Sequence, residues 1–426
     1  MSMRKAKPTP PRVASVPAKK PRTTVHRSAR PAGVERAYAI GIMSGTSADG
    51  VDAALTEIAD EGGRHRTRLV SFAWRPFTDD VRTAILDAQE GTLPLRSLFA
   101  LSVTVAEHAA AAAREALAAP AALGVDVEVI GFHGQTVFHD PRGERTGARV
   151  TAQIGEATVL AAALGLPVVS DFRMADVVAG GEGAPLIPRF DWNQFGAADT
   201  DRVLLNLGGI ANLTRLPRGV TLDRLLAFDC GPANMLLDGV MEAVGPPDSR
   251  FDKGGDAAAR GKADLSVIRE FLADPYFDRP PPKSAGREEF GRAYRDRFLA
   301  RTEGSSLEDR LRTAVGLVAA SVVRGIAQST PAAGAAPDEI IVSGGGARNL
   351  TLLRAIEAAM PGTRVSGIAA HGIPEFAKEA MAFAFLAHET WHGRPGNVPS
   401  ATGAREEVVL GSITPAPRGA GLPHGA

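Results

Sequence analysis

Between two apolar runs, Tyr38 to Met43 and Val51 to Ile58, the chain reads Ser44-Gly45-Thr46-Ser47-Ala48-Asp49-Gly50 and then Val51-Asp52. A turn built from Gly, Ser and Thr removes side-chain bulk and gathers backbone N–H groups and hydroxyls into one small space, where a phosphate can be held. The plain alternative is a hairpin turn and nothing more. A second strand–turn–strand unit follows, with Gly208-Gly209 between Val203-Leu204-Leu205-Asn206 and Leu213-Thr214-Arg215-Leu216. Two such turns could grip a polyphosphate from both sides. A third run, Gly344-Gly345-Gly346, follows the apolar Ile340 to Val342 and could admit a nucleoside close to backbone. Neither a Walker lysine motif nor G-x-G-x-x-G occurs, so the common phosphate fingerprints are excluded.

Carboxylates and polar side chains near these turns supply further chemistry. Asp229 follows the apolar Leu225 to Phe228 and precedes Cys230-Gly231-Pro232, which predicts a strand end facing a cleft, where it could serve as general base. Equally, it could be a turn aspartate or a cap before the helix expected over Asn234 to Val244. Cys230 reads as a small buried residue. His133, Gln135 and Thr136 offer hydrogen-bonding groups on one expected loop, suited to sugar hydroxyls, and His133 could instead be a satisfied structural histidine. Glu379 lies in a helix expected over Glu375 to His388, where the ordinary reading is a solvated acid. The nine histidines are read as scattered without H-E-x-x-H or similar spacing, and no dedicated transition-metal site is expected. Magnesium would arrive with a bound polyphosphate.

The elements around these residues alternate. Helices are expected at Pro94 to Leu117, Gly155 to Leu164, Leu265 to Ala273, Phe290 to Thr302 and Leu307 to Gln328, and strands at Val127 to Phe132 and Leu166 to Ser170. That alternation indicates an α/β architecture, and the two similar hairpins, about 160 residues apart, suit two related lobes. The expected division is a tail over 1–36, a first lobe over 37–175 with about 395–415, and a second lobe over 176–394. With 44% hydrophobic and 23% charged residues among 426, ordinary cores can form. Nine of the 48 Lys/Arg fall in the first 34 residues, which hold six prolines and no acid, so this tail is expected to be disordered. The body is then mildly acidic and offers no footprint for nucleic acid. Apolar runs such as Ala314 to Val323 are too short for a membrane span, and one cysteine excludes an intrachain disulfide. A cytoplasmic protein is expected.

Taken together, Gly41-Ile42-Met43-Ser44-Gly45-Thr46-Ser47-Ala48-Asp49-Gly50-Val51-Asp52 resembles the opening signature of the anhydro-N-acetylmuramic acid kinases. Further blocks agree in order: His133 to Thr136, Gln153 through Asp171-Phe172-Arg173 to Leu186, Asn206 to Asn212, Phe228 to Asn234, Pro282-Lys283-Ser284 with Gly286-Arg287-Glu288, Gly344 to Asn349, Glu379 to Ala387, and Asn397 to Ala404 with Leu410-Gly411. The resemblance covers residues 37 to about 415. It implies a two-lobed actin/hexokinase-like (ribonuclease H-like) ATPase fold with ATP and sugar in the cleft. The implied reaction opens a 1,6-anhydro bridge with water while the γ-phosphate passes to O6, in cell-wall recycling. On this resemblance Asp229 activates the water and Glu379 contacts the sugar, with His133, Gln135, Thr136 and Asp171 beside it. ATP would be bound by Gly45 to Asp52, by Gly208, Gly209 and Asn212, and by Gly344, Gly345, Gly346 and Asn349, with Asp49 reaching magnesium through water. A homodimer is expected from the resemblance alone.

Four positions depart from the family pattern. Met174 and Ala175 stand where many members have arginines, Ala233 replaces a usual glycine, and Gly316 a common glutamate. Met174 and Ala175 favour a rival reading, a kinase for an anhydro sugar without the lactyl group, such as levoglucosan. A non-catalytic nucleotide-binding sensor of the same fold is the rival from another class.

Overall fold

The computed structural model describes residues 36–45, 47–247, 249–330 and 336–417. Thr46 and the expected tail before residue 36 lie outside the described residues. Strands are numbered in chain order. The first sheet takes β1 (Arg36–Ser44), β2 (Gly50–Asp60), β3 (His65–Pro76), β4 (Val129–Asp140), β5 (Val150–Ile154) and β6 (Val168–Ser170). The second takes β7 (Arg202–Leu207), β8 (Ile210–Leu216), β9 (Leu226–Pro232), β10 (Glu339–Ser343) and β11 (Arg364–Gly367), while β12 (Ser412–Thr414) returns to the first.

The two sheets share one plan. In the first the order is β12-β6-β4-β1-β2-β3, with β5 on β4; in the second it is β11-β10-β7-β8-β9. Each begins with an antiparallel three-strand meander and then adds parallel strands beside its first strand. The duplication expected from the two glycine hairpins is therefore present in the strand order itself.

Side-chain size along β1 and β4 decides what covers each face. Successive residues point to opposite faces. Ile40, Ile42, Leu55, Ile130 and Phe132 share a core with Leu101 and Val105 of the helix Leu95–Ala118. On the other face stand Ala39, Ala54 and two glycines, and there the helix Ala377–Trp391 lies almost on the backbone. A Cβ on Gly41 would fall 1.8 Å from the Ala380 carbonyl oxygen, and one on Gly131 2.1 Å from that of Phe383. These glycines set the height of the helix. Its opposite side packs in the same core as Leu204, Leu216 and Ile341 of the second sheet.

Several expectations need correction. By packing, the Ala377–Trp391 helix goes with β1, β2 and β4 of the first sheet, although it falls in the segment 176–394 assigned to the second lobe. His133 to Thr136 is no loop: β4 runs through it, because β5 pairs with this stretch and Gly134 supplies a positive φ of 74°. Asp229 sits inside β9 rather than beyond its end. The single helix expected over Phe290 to Thr302 is two, Arg287–Phe290 and Arg292–Arg301, broken at Gly291. The amphipathic β3 had no counterpart among the expected strands.

Candidate functional site

The first glycine turn is held from beneath by β4. The Ser44 hydroxyl donates to Gln135 Oε1 (2.6 Å), and Gln135 Nε2 donates to the Gly45 carbonyl (3.1 Å). Ala48, at φ 54°, closes the turn with its N–H on the Gly45 carbonyl, and the Phe77 N–H fixes the Asp49 carbonyl. Two of the expected ligand positions face inward: the side chains of Ala48 and Val51 lie in the core, so only their backbone could meet a ligand. Gln135 is fully buried and its amide is committed to the turn, so it positions the phosphate candidate rather than facing a sugar. Thr136 is half-buried, its hydroxyl accepting from Gln153 Nε2 at 3.3 Å.

Beside this turn an acidic and a basic group meet in low dielectric. The Asp52 carboxyl is pushed up to about 7 by burial, then by Glu379 and Asp49, and its Oδ1 is buried with no hydrogen-bond partner among the described residues. Glu379, in the first turn of the helix Ala377–Trp391, is raised by burial against the pull of Lys378 and Arg173. Its neighbour Lys378 pairs with Asp191 at 2.9 Å, which fixes the start of the helix. Arg173 is itself held down at about 10 by burial, with Glu379 opposing. His133 is pushed down to about 3 by burial and by Arg173, so it is neutral. The solvated acid of the ordinary reading of Glu379 is thus replaced by a carboxyl in a packed, partly charged pocket floor.

Asp171 stands apart. It is exposed, at φ 57°, and with Met174, Ala175, Val178, Val408, Val409, Gly411 and Ser412 it lines a shallow pocket. Met174 and Ala175 are thus grouped with Asp171, in a pocket that neither Arg173 nor His133 lines.

On the second sheet, Asp229 Oδ2 accepts from the Ala285 N–H at 2.8 Å, its own N–H donates to the Lys283 carbonyl (2.9 Å), and Tyr276 donates to its carbonyl (2.9 Å). The loop carrying Lys283, Ser284 and Ala285 thus grips the residue at two points, and Tyr276 of the turn Pro275–Asp278 at a third. Burial pushes the carboxyl up to about 7, with Glu289 and Glu182 adding to the rise and the Ala285 N–H opposing. Glu182 accepts from Ser284 (3.2 Å) and from Arg142 Nε (2.8 Å) of the β4–β5 connection, which ties this loop to the first sheet. Asn212 is the cross-strand neighbour of Asp229. Cys230 is buried and its thiol raised by burial, the inert core cysteine expected.

Of the other two glycine runs, the third lines a cavity through Gly345, and the second is joined to the same cavity through Asn234. The Gly208 and Gly209 carbonyls take the N–H groups of Asn234, Ala233 and Met235 at the start of the helix Asn234–Val244, so this turn and that helix are one unit. Gly344, at φ 77°, could carry no side chain, because a Cβ would lie 2.5 Å from Asn206 Oδ1. Next to it a cavity of about 550 Å³ is lined by Asn234, Leu237, Asp238, Phe251, Asp252, Lys253, Gly254, Gly345, Arg348, Asn349 and Phe376. That volume suits a nucleoside. Asn349 spends its Oδ1 capping Leu352 N at 3.0 Å, so its amide nitrogen faces elsewhere. Asn234, Asp238, Phe251, Lys253 and Phe376 were not singled out in the sequence; Asp238 alone had a signal, one helical turn after Asn234.

The sequence reading also missed Asp176. Fully buried, it accepts from the Gly183 N–H (2.8 Å), Asn397 Nδ2 (2.7 Å) and Thr402 Oγ1 (2.7 Å), and so ties the Gly180 to Gly183 segment to the returning chain. A second oversight is a spacing. His388-Glu389-Thr390-Trp391-His392 has the H-E-x-x-H pattern, and two overlapping groups, His65/His388/Glu389 and Glu128/His388/His392, bring ligand-type atoms within 4.8 Å of one another. The expectation that the histidines are scattered is corrected here.

A duplicated sheet with a glycine hairpin opening each copy, carboxyls raised to near neutrality on both sheets and a nucleoside-sized cavity form the plan of the two-lobed, ATP-using sugar kinase class of the actin/hexokinase-like fold. Comparison with known proteins narrows the class: the sequence profile of the anhydro-N-acetylmuramic acid kinases matches residues 37–416, and the chain belongs to that family. A relative of that name from Salinibacter ruber is 42% identical over 386 residues, 89% of this chain and 96% of the relative. Another, from Caldanaerobacter subterraneus subsp. tengcongensis, is 37% identical over 392 residues, 89% of this chain and 97% of the relative. Among solved structures, a ROK family glucokinase from Streptomyces griseus in complex with glucose and AMPPNP matches at 16% identity and a TM-score of 0.35, over 83% of this chain and 99% of that one.

Proposed function

We propose that this protein is an ATP-dependent kinase that hydrolytically opens 1,6-anhydro-N-acetylmuramic acid and phosphorylates O6, giving N-acetylmuramic acid 6-phosphate and ADP in peptidoglycan recycling. Family membership over nearly the whole described chain supports the reaction. The observation that carries the assignment of roles is Asp229, whose carboxyl is pushed up to about 7 while Oδ2 is oriented by the Ala285 N–H. A base with that affinity holds its proton strongly enough to take one from water yet is largely ionised just above neutrality.

In this reading Asp229 takes a proton from water as the water oxygen bonds to C1. The C1–O6 bond breaks, O6 attacks the γ-phosphorus, the bond to the ADP oxygen breaks, and the proton leaves Asp229 for solvent. Phosphoryl transfer then needs mainly positioning and charge stabilisation. Backbone N–H groups of Gly45, Ser47 and Gly50 and of the Gly208-Gly209 turn would hold phosphates, and the cavity beside Gly345 the nucleoside. Glu379 and Arg173 would receive the sugar, with neutral His133 orienting Arg173 from behind.

Magnesium fits the residues present. Asp49 and the unpartnered Asp52 Oδ1 are hard oxygen donors at the phosphate turn, and the cation would offset phosphate charge there. The first lobe is best drawn with the Ala377–Trp391 helix included. A homodimer in the cytoplasm remains our reading of the oligomer and location; among the described residues no helix is long and apolar enough to cross a membrane. Met174 and Ala175 line a pocket with Asp171, so a kinase for a smaller anhydro sugar such as levoglucosan is kept as the second reading.

The deciding experiment is ADP release with magnesium-ATP and either 1,6-anhydro-N-acetylmuramic acid or levoglucosan, with the product weighed by mass spectrometry. Turnover of the muramic sugar to its 6-phosphate is expected. Turnover of levoglucosan alone, or of neither, overturns the reading.

A further inference from the structure

The far end of the Ala377–Trp391 helix carries a cluster that the kinase reaction does not use. Residues four apart on a helix share a face, so His388 and His392 present their rings side by side, with centroids 4.5 Å apart. Glu128 faces both. Its Oε1 contacts His388 Nδ1, and its Oε2 lies 3.4 Å from His392 Nε2. The Glu128 backbone is fixed by its N–H on the Tyr38 carbonyl (2.9 Å), so the carboxylate is presented from the start of β4. His392 Nε2 is buried and has no hydrogen-bond partner among the described residues.

We propose that Glu128, His388 and His392 bind one divalent transition-metal cation of the zinc class, a site that fastens the end of this helix to the first sheet. Two neutral imidazoles and one carboxylate are the donor set such a cation selects, and the H-E-x-x-H spacing is how a helix delivers two of them. One separation already matches such a coordination, while the closer pair, His388 Nδ1 and Glu128 Oε1, would part as the cation enters. A tetrahedral centre with bonds of about 2.0–2.1 Å holds its donor atoms about 3.3–3.4 Å apart. His392 Nε2 and Glu128 Oε2 already stand at 3.4 Å. The helix C-terminus is also the end whose carbonyls favour positive charge.

Neighbouring groups orient the ligands. The His65 ring meets His388 edge-on at 5.4 Å, and Glu389 lies with a nitrogen of His388 and of His65 within 4.8 Å. A carboxylate behind a metal-bound imidazole fixes its orientation and strengthens it as a donor. Glu389 cannot serve as the base of a metal-dependent hydrolase here, because its Oε1 is occupied by His65 Nδ1 (2.7 Å) and by Arg394 (2.9 and 3.0 Å). Nine residues separate His388 from Glu379 along the helix, about 13 Å at the rise of an α-helix, so the cation does not touch the sugar site. Its role is structural.

The test uses cobalt(II) alone on the full-length protein after chelator treatment and dialysis. Saturable binding of one equivalent with visible d–d absorption is expected, unaffected by a large excess of magnesium. His392→Ala should abolish the absorption, and His65→Ala should weaken binding about tenfold. Zinc should raise the melting temperature of the parent protein and not that of His392→Ala. Should His392→Ala fold poorly by circular dichroism, Glu128→Gln serves in its place, with the same expected loss. Absent cobalt absorption in the parent, or binding that survives both ligand substitutions, overturns the proposal.

Discussion

Arg173 donates from Nε to His133 Nε2 at 3.0 Å, and His133 in turn gives its Nδ1 proton to the Gly134 carbonyl at 2.8 Å. The chain of bonds fixes one neutral tautomer and aims the rest of the guanidinium at the region of Glu379, whose carboxyl it stabilises in charged form. Arg173→Met should therefore raise the sugar KM or lower kcat so that kcat/KM falls by about 100-fold or more, the scale of losing one preorganised charged donor. ATP affinity by calorimetry should stay the same. Unchanged sugar kinetics would remove Arg173 from the substrate site.

Asp229→Asn should abolish turnover, by about 100-fold at least, and leave nucleotide affinity nearly intact. Lost ATP binding in that variant would show the residue to be structural instead.

Because the Asp229 carboxyl is raised to about 7, its basic form is present only above that pH, so kcat/KM should climb with pH through this region and level off. Glu182 contributes to the rise, so Glu182→Gln should move the limb to lower pH. A limb that does not move would assign it to Asp52, the other carboxyl raised to about 7. The same shift has a stability consequence. Between the unfolded value of 3.8 and about 7 the folded state binds the extra proton, so this group's contribution to stability declines as pH rises through that window.

Gly41→Ala adds one methyl where 1.8 Å separates it from the Ala380 carbonyl oxygen. The helix must lift, and a loss of about 1–3 kcal/mol or more in urea unfolding is expected, typical of overpacking. Activity should fall with it, since Glu379 rides on that helix. Wild-type stability would mean that the helix can shift without cost.

Gly45 differs from Gly41 in having room: a Cβ there would meet only Ser47 Oγ, at 3.6 Å. Gly45→Val should accordingly fold normally and weaken ATP binding by filling the turn. Normal ATP affinity in that well-folded variant would refute phosphate binding by the Gly45 to Asp52 turn.

Much of the fold was legible because it is written in local pattern. The small-and-large alternation of Ala39, Ile40, Gly41 and Ile42, the glycine hairpins and the long helix ending at Ser329 are properties of neighbouring residues. What could not be read depends on partners far along the chain. Gln135 looks like a sugar ligand until Ser44, 91 positions away, is seen to claim its carbonyl oxygen. Polar residues of His133 to Thr136 suggested a loop because only pairing with β5 makes them a strand. Asp176 is unremarkable beside Met174 and Ala175, yet its three donors come from positions 183, 397 and 402. The H-E-x-x-H spacing was legible and overlooked, and its third ligand, Glu128, lies 260 positions from His388.

Asp176 also imposes an order on assembly. Two of its three anchors, Asn397 and Thr402, come more than two hundred positions later, so during synthesis Asp176 can complete its bonds only after that stretch has left the ribosome. Glu182, and through it the setting of Asp229, inherits that delay. A nonsense codon at Asn397 should therefore leave Asp176 with one donor, the Gly183 N–H, remove β12 from the first sheet, and give a protein without a competent cleft.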